Sequence, residues 1–330
     1  MKSEGQRIEQ AIALRLADLP EDVHGARRLF NGFLEGLPGL VADLFGRTAV
    51  LYNYADPPVE GEGLIGEVQN MILDLVPRVE TVLVKTRRSP DREAQRGLLK
   101  YGERTDRWIR EHGVRYAVDL TMNQDASFYL DTRNLRKWLL ENLTGKTVLN
   151  SFAYTGSLGI AAAAGGAARV LHVDLNRSFL NVAKTSYSLN GLPIDRRDFY
   201  AADFFTCAAR LKRAGDRFHC VILDPPFFST TVKGKVDLSD SARLINKVRP
   251  LIEDQGVLIA INNALFVSGA SYMETLDGLC SDGYLSVEAT IPVPEDITGY
   301  PNTRTEDWVA DPAPFNHSTK IAVLQVRRKK

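Results

Sequence analysis

Residues Thr147 to Asp174 read TVLNSFAYTGSLGIAAAAGGAARVLHVD. Thr147 to Leu149 is a short apolar run of the kind that forms a buried strand. A loop, Asn150 to Thr155, leads through Gly156 into Ser157 to Ala164, an Ala-rich segment of high helix propensity. Gly165 and Gly166 stop that helix. A second apolar run, Arg169 to Val173, ends in an acid, Asp174. Strand, loop, helix and strand in this order predict a parallel pair joined by a crossover helix.

This layout has a chemistry. A loop entering a helix N-terminus presents N–H groups without helical partners, which suits a carboxylate or a phosphate. A carboxylate at the end of the second strand accepts from ribose hydroxyls. The unit is therefore read as a site for a nucleoside-bearing cofactor, with an unliganded βαβ unit as the plain alternative. A dinucleotide and S-adenosylmethionine compete for it. The dinucleotide fingerprint needs three spaced glycines. The loop SFAYTGSLG supplies only Gly156 and Gly159, and Phe152 and Tyr154 crowd the place of the first turn glycine. That disfavours a pyrophosphate and puts S-adenosylmethionine ahead.

Working outward, 330 residues suffice for two domains, and 44% hydrophobic with 25% charged residues fits a globular protein. No apolar run reaches membrane-spanning length, and MKSEGQRIEQ lacks a secretory pattern. The three cysteines, Cys207, Cys220 and Cys280, are scattered with no CxxC pair, so neither a metal site nor a disulfide framework is expected. A reducing, cytoplasmic setting follows as the expectation. The net charge of +0 argues for no general nucleic-acid affinity, but charge is uneven. Lys85, Arg87, Arg88, Arg92, Arg96, Lys100, Arg104, Arg107, Arg110 and Arg115 face only five acids in the same stretch, and the tail ends Arg327-Arg328-Lys329-Lys330. A solvated face is the ordinary reading of such a run.

Along the chain, Ser3 to Leu19 reads as an amphipathic helix ending before Pro20, and Arg27 to Leu34 as a second, short helix. Leu40 to Phe45 and Thr48 to Tyr54 read as a hairpin around Gly46-Arg47. Leu64 to Leu75 is helical, Glu80 to Thr86 and Val114 to Asp119 alternate as strands, and the basic stretch between them reads as exposed. These elements predict an N-terminal α+β domain over 1–122. The alternating β–α pattern then fills 123–330. Helices are expected at Asn134 to Leu143, Arg177 to Leu189, Phe204 to Leu211, Leu238 to Ile252 and Tyr272 to Leu279. Further strands are expected near Asp198 to Ala202, His219 to Leu223, Val257 to Ile261, Leu285 to Val293 and Lys320 to Val326, the last antiparallel. Seven strands with interleaved helices make a doubly wound α/β sheet.

Ligands of such sheets sit at the carboxyl ends of the strands. Polar residues fall there repeatedly: Asn150, Asp174, Asp203, Asp224 and Asn262-Asn263. A single acid after a strand is most often a helix cap, but five polar strand ends in one sheet are harder to dismiss. Asp174 is expected to hold a ribose and Asp203 to face an adenine amino group. Asp224-Pro225-Pro226-Phe227 is the most specific signal. Two prolines stiffen the backbone and remove two donors, leaving carbonyls and the carboxylate as acceptors. Such a set holds a planar nitrogen centre with its lone pair toward a methyl sulfonium. Phe227 is placed to stack on a base. A packed turn is the alternative. Histidines are weak candidates for a general base: His172 and His219 fall inside predicted strands, where packing is the expectation.

The motifs FYLDTR (Phe128–Arg133), LNSFAYTGS (Leu149–Ser157), VD (Val173–Asp174), LNGL (Leu189–Leu192) and LDPPFFS (Leu223–Ser229) resemble those of class I S-adenosylmethionine-dependent methyltransferases. More narrowly the chain resembles the large-subunit ribosomal RNA methyltransferases that make 5-methylcytosine or 7-methylguanine. The segment Phe30–Gly46 resembles that family's middle domain, and KTRRS (Lys85–Ser89) falls where relatives carry a short basic run. The likeness covers about residues 27 to 326 and implies a Rossmann-like methyltransferase sheet. It implies a cofactor site at Asn150, Phe152, Ala153, Tyr154, Thr155, Gly156 and Ser157, with Asp174, Asn176, Asp203, Phe204 and Asp224. Asp131 and Arg133 would stand near the cofactor. Asp224, Pro225, Phe227 and Asn262 would carry the transfer, with Lys85, Arg87, Arg88 and Asn263 on the substrate.

Two departures shape the expectation. Relatives often begin with a small RNA-binding PUA domain, whereas this sequence opens on a helical leader. The 5-methylcytosine members also carry a cysteine at the end of the fifth strand, whose thiolate adds to the base. The matching segment here is AINNALF, Ala260 to Phe266, without cysteine. The three cysteines present read as buried structural residues. The expected reaction is methyl transfer to a base nitrogen of RNA, ribosomal RNA by resemblance, at guanine N7 or an exocyclic amine. Rivals are methylation of a small molecule or protein, cytosine-C5 methylation, and a non-catalytic RNA-binding or ribosome-assembly role. No metal or membrane partner is expected, and the oligomeric state is left open.

Overall fold

The computed structural model describes residues 3–17, 22–226, 228–231, 234–237 and 241–328. It divides into two compact units: Met1–Asp131 with Pro294–Asp307, and Thr132–Val293 with Trp308–Lys330. The first division lies beyond residue 122, and the excursion 294–307 falls with the N-terminal unit, although its sequence neighbours belong to the other.

The first unit begins with helix α1 (Glu4–Ala17), whose Ile8, Ala11 and Ile12 are fully buried. Strand β1 (Ala26–Asn31) follows where a helix is expected over Arg27 to Leu34. Pairing overrides local propensity here. β1 runs antiparallel to β2 (Leu40–Phe45), and Arg28 grips Asp43 across the pair with two bonds of 2.8 and 3.1 Å. β2 and β3 (Thr48–Asn53) form the expected hairpin, every residue of both strands buried. Helix α2 (Glu62–Leu75) crosses over to β4 (Thr81–Thr86), which pairs parallel with β3. The basic stretch is more ordered than expected. It forms α3 (Arg92–Arg96), edge strand β5 (Leu98–Tyr101) and a two-stranded ribbon of β6 (Trp108–Glu111) and β7 (Val114–Ala117). The main sheet order is β1-β2-β3-β4-β5. The excursion is bound by a buried cluster. Arg15 donates to Glu35 at 2.9 Å and to the Asp296 carbonyl at 3.0 and 3.1 Å, while Thr303 donates to Glu35 at 2.6 Å.

The second unit opens with α4 (Arg133–Asn142) and then runs β8 (Thr147–Ser151), α5 (Ser157–Ala164), β9 (Arg169–Asp174), α6 (Arg177–Leu189), β10 (Phe199–Ala201), α7 (Phe204–Ala214) and β11 (Phe218–Leu223). A short antiparallel ribbon, β12 (Phe228–Thr231) with β13 (Gly234–Asp237), has no counterpart in the sequence reading. Next come α8 (Ser241–Val248), shorter than the expected Leu238 to Ile252, then β14 (Ile252–Asn262), α9 (Gly269–Cys280), β15 (Leu285–Thr290) and β16 (Lys320–Val326). Residues 238–240 of that expected helix lie outside the described residues.

The seven-stranded sheet has the order β10-β9-β8-β11-β14-β16-β15. The first five strands are parallel, and β16 enters antiparallel between β14 and β15. Alternation sorts its side chains onto two buried faces. Leu149, Leu171, Val221, Leu258 and Leu324 meet Leu211, Leu244 and Leu276 of α7, α8 and α9. Val148, Val170, Ile222, Ile259 and Ile321 meet Leu135 and Leu139 of α4 and Leu158 of α5. Each such fully buried aliphatic side chain contributes about 2 kcal/mol. Both faces being covered explains why the strands read as continuous apolar runs.

Candidate active site

Register brings the parallel strands to one common edge. Ala201 pairs with Asp174, Ser151 with both Val173 and Leu223, and Leu223 with Ala260. The chain therefore leaves the sheet at one rim at 152–156, 174–176, 203, 224 and 262. β8 feeds helices toward β9 while β11 feeds them toward β14, so the two central strands mark a topological switch point, where ligands of open α/β sheets bind.

The loop after β8 is held in an unusual shape. Phe152 and Tyr154 have φ of 56° and 50°, and Gly156 has 83°. A non-glycine residue in this region costs on the order of 1 to 3 kcal/mol, so its surroundings must compensate. They do: Phe152 stacks on Phe204 with centroids 4.5 Å apart, and Tyr154 meets Phe179 edge-on at 4.6 Å. Ala153 N–H donates to the Val173 carbonyl, and Tyr154 N–H donates to Asp174 Oδ2, both at 2.8 Å. The rings that seemed to crowd the loop are its anchors. Gly156 stands at the N-cap of α5 without a side-chain cap, so first-turn N–H groups remain for an incoming acceptor. Ala153 and Thr155 are buried, and Ser157 opens the helix half-buried.

Asp174 is gripped from two sides. Oδ2 accepts from Tyr154 N–H, and Oδ1 accepts from Asn176 N–H at 2.8 Å. Burial raises its pKa, and those backbone bonds oppose the shift. A carboxylate has about four lone-pair positions, so acceptor capacity remains. Asn176 is used locally, capping α6 through Ser178 N–H at 2.9 Å. Asp203 caps α7 with one oxygen, Oδ1, which accepts from the N–H and hydroxyl of Thr206 at 3.0 and 3.1 Å. The ordinary capping role is thus present at Asp203, and Oδ2 takes no part in that cap.

Asn150 points elsewhere. Its side chain is buried behind the loop, with Nδ2 3.3 Å from His172 Nδ1, while His172 Nε2 lies 3.0 Å from the Tyr187 hydroxyl. Burial pushes the His172 imidazole down to about 3, so the ring is neutral. A consistent tautomer accepts at Nδ1 and donates from Nε2. This chain of contacts lies beneath the loop after β8. A Cβ on Gly159 would lie 2.5 Å from His172 Cε1, which is why the first turn of α5 needs a glycine there. Asn150 is a positioning residue in this arrangement, and the network itself carries no sequence pattern that would reveal it. His219, expected to be packed, is exposed at the opposite end of β11 and bonds Thr147.

At the other half of the rim, Asp224 is half-buried, Pro225 buried and Pro226 exposed. Phe227 lies outside the described residues. Asn262 is buried and engaged: Oδ1 accepts from Ala264 N–H and Nδ2 donates to the Ser241 hydroxyl, both at 3.1 Å. Asn263 is exposed. Beside Asn262 in register lies Lys320, fully buried, its ammonium donating to the carbonyls of Ala264 at 3.1 Å and Ser318 at 2.5 Å. Burial lowers its pKa to about 8. A lysine at the start of an apolar strand gives no signal that it will turn inward to tie down the turn after β14.

Asp131 is the last residue of the first unit, and Arg133 opens α4 of the second, where it is buried. The three cations expected on substrate are engaged within the first unit. Lys85 is fully buried and donates to the carbonyls of Arg96, Asn123 and Asp125 at 2.6, 2.8 and 3.0 Å. Its place as an exposed substrate contact is thereby corrected: it staples β4 to two loops. Arg87 pairs with Asp125 at 3.2 Å and Arg88 with Asp56 at 2.8 Å. Among the described residues no helix is long and apolar enough to cross a membrane. Nor does any group of three or more His, Cys, Asp or Glu there form a metal site.

Comparison with known proteins agrees with this geometry. Residues 78–278 match the family model of S-adenosylmethionine-dependent methyltransferases. The chain is 33% identical over 282 residues to ribosomal RNA large subunit methyltransferase K of Neisseria meningitidis serogroup B, covering 82% of this chain and 77% of that protein. It is 27% identical over 286 residues to ribosomal RNA large subunit methyltransferase I of Photobacterium profundum, covering 86% and 72%. A Streptococcus mutans structure assigned to the SAM-dependent methyltransferases superposes with a TM-score of 0.80 at 21% identity, over 98% of this chain and 80% of that one. The chain belongs to the S-adenosylmethionine-dependent methyltransferases. It is an enzyme of that class, with the Rossmann-like sheet the sequence leads one to expect.

Proposed function

We propose that this enzyme methylates a nitrogen of a base in RNA, and that its substrate is large-subunit ribosomal RNA. The names of the two relatives support the RNA. The choice of nitrogen rests on one observation: no thiol stands at the carboxyl rim. Cys207 lies in α7, Cys220 is buried within β11 and Cys280 ends α9. Burial raises the pKa of all three, that of Cys220 to about 12. Methylation at cytosine C5 needs a covalent thiolate adduct on the base, and none of these three thiols stands at the strand ends where a base would meet it. A ring nitrogen or exocyclic amine needs alignment and charge stabilisation instead.

S-adenosylmethionine supplies an electrophilic methyl group on a sulfonium. On this reading the residues divide the work as follows. Asp174 accepts from the ribose hydroxyls with its remaining lone pairs, and the open first turn of α5 receives a carboxylate. Asp203 Oδ2 accepts from the adenine amino group. Asp224, fixed by the following prolines, accepts from the target base, directs its lone pair and offsets the positive charge that develops as the N–C bond forms. The network of Asn150, His172 and Tyr187 keeps the loop after β8 in shape.

The test uses S-adenosylmethionine carrying a labelled methyl group, incubated with the protein and with ribosomal RNA and tRNA from a strain lacking this gene. The RNA is digested and the labelled nucleoside identified by mass spectrometry. An N-methylated nucleoside from large-subunit RNA is the expected result. Labelled 5-methylcytidine would overturn the cysteine argument, and no labelled RNA of any kind would overturn the substrate.

A further inference from the structure

We propose that the β5 edge of the first unit is a docking surface for a single-stranded segment of RNA. This rests on the RNA reading above. The place is unusual in three respects. First, an edge strand is normally guarded by charge or covered. β5 is short and bulged against β4, yet Leu98, Leu99 and Tyr101 are 40, 44 and 48% exposed. Second, the same stretch of chain carries five exposed cations, Arg92, Arg96, Lys100, Arg104 and Arg107, of which Arg104 and Arg107 line a cleft with Leu98 and Leu99. None of the five makes an ion pair or a side-chain hydrogen bond among the described residues. The acids that would neutralise them are partly used elsewhere. Asp91 caps α3, and Asp106 accepts from Arg47 N–H and the Thr48 hydroxyl. Glu93 and Glu103 remain exposed. Third, a cleft of about 470 Å³ opens here, lined by Leu83, Leu98, Leu99, Arg104 and Arg107, with the carboxylate of Glu103 among them. That size lies in the range of small-ligand sites and accommodates a nucleobase.

Unpaired cations interleaved with exposed apolar and aromatic side chains match a strand whose phosphates and base faces are both accessible. Stacked duplex RNA hides its base faces and offers phosphates, hydroxyls and the base edges of its shallow groove. A second copy of this chain fits the edge poorly. Twofold pairing centred on Lys100 of β5 would set that residue against its own copy and Arg96 against Arg104 of the second copy, and like charges across a strand pair repel. Lys85, Arg87 and Arg88, the cations first expected to meet RNA, are engaged internally, so the electrostatic contact shifts to 92–107.

The experiment measures fluorescence anisotropy of a labelled twelve-nucleotide single strand, and of its duplex, with the full chain over a range of salt. Wild type is compared with Tyr101→Ala and with a variant carrying Arg96→Gln, Arg104→Gln and Arg107→Gln. All four side chains are exposed. Thermal unfolding and S-adenosylhomocysteine affinity, which rest on other residues, serve as folding controls. We expect wild type to prefer the single strand. Tyr101→Ala should weaken it about tenfold. The triple variant should lower the salt slope by about 2, from about 0.7 per cation on a single strand. The KM for RNA should rise in both variants, with kcat unchanged. If wild type binds and methylates RNA but both variants bind equally well, this surface is wrong and the substrate reading stands. If wild type neither binds nor methylates RNA, the substrate reading fails and the surface with it. Equal affinity for the duplex overturns the single-stranded class. A dimer in sedimentation that the variants dissolve, with RNA binding untouched, assigns the edge to a second copy instead.

Discussion

Asp174 ends β9 and Asn262 ends β14, and each makes the same small turn. The side-chain oxygen accepts from the N–H two residues on, at Asn176 and at Ala264. Their second polar groups diverge. Asp174 Oδ2 receives an N–H from Tyr154 in the loop after β8, and a carboxylate has further lone pairs to offer. Asn262 Nδ2 reaches inward to Ser241, and the side chain is buried. One end of the rim is built around a carboxylate that joins two loops, taking N–H groups from Tyr154 and Asn176. At the other end an equally placed amide holds the chain in shape, beside the buried ammonium of Lys320. A strand-end position therefore marks where a site is, while the partner of each side chain settles which residues face it.

Four experiments would break or sharpen that contrast. The largest effect is expected from Asp174→Ala, which removes two charge-assisted acceptors from the cofactor end. S-adenosylhomocysteine affinity, measured by calorimetry, should fall about 1,000-fold or more. An unchanged affinity would remove Asp174 from the ribose role. Asp224→Ala should lower kcat about 100- to 1,000-fold, as losing a positioned electrostatic group does. Cofactor affinity should stay within about threefold. Loss of cofactor binding as severe as that of Asp174→Ala would mean the two ends are not separate.

An acid-side pH effect belongs to the end of the rim at β8 and β9. His172 is neutral in the fold, its pKa lowered from 6.5 to about 3 by burial. Between these values the unfolded chain binds the extra proton, so stability falls as pH drops through 6.5 and continues to fall toward 3. The loss between pH 6.5 and 5 is about 2 kcal/mol. His172→Phe should be less stable at pH 7.5, because Asn150 and Tyr187 lose their partner, yet show a flatter acid limb in thermal unfolding. An identical limb would place the acid sensitivity elsewhere. The smallest effect is expected at Asn262→Ala: about 1 kcal/mol of stability from lost hydrogen bonds, with kcat reduced less than about tenfold. A rate loss comparable to that of Asp224→Ala would restore a direct catalytic role.

The β8–α5–β9 half of the rim was largely legible in the sequence because its signals are local. Apolar runs, Gly156 at a left-handed turn and Gly165 after the helix mark β8, α5 and β9 within thirty residues. Asp174 follows from where the strand stops. Other features depended on distant partners. Arg27 to Leu34 has helical spacing but forms β1 because β2 supplies its hydrogen bonds and Asp43 holds Arg28. Lys85 sits in a basic run that reads as surface, and three carbonyls turn it inward. The unpaired cations lie a few residues later, on α3, on β5 and in the segments beside them.

Taken alone, the amino-acid sequence determined the doubly wound sheet, the loop after its first strand and the polar residues at its strand ends. Those follow from periodicity, turn residues and chemistry that neighbours in the chain decide. Only the tertiary structure decided which polar groups reach the rim and which are consumed beneath it. Asn150, Asn262, Lys85 and Lys320 are buried polar residues that each hold at least one partner 20 or more residues away, and such pairings appear only when the chain has folded.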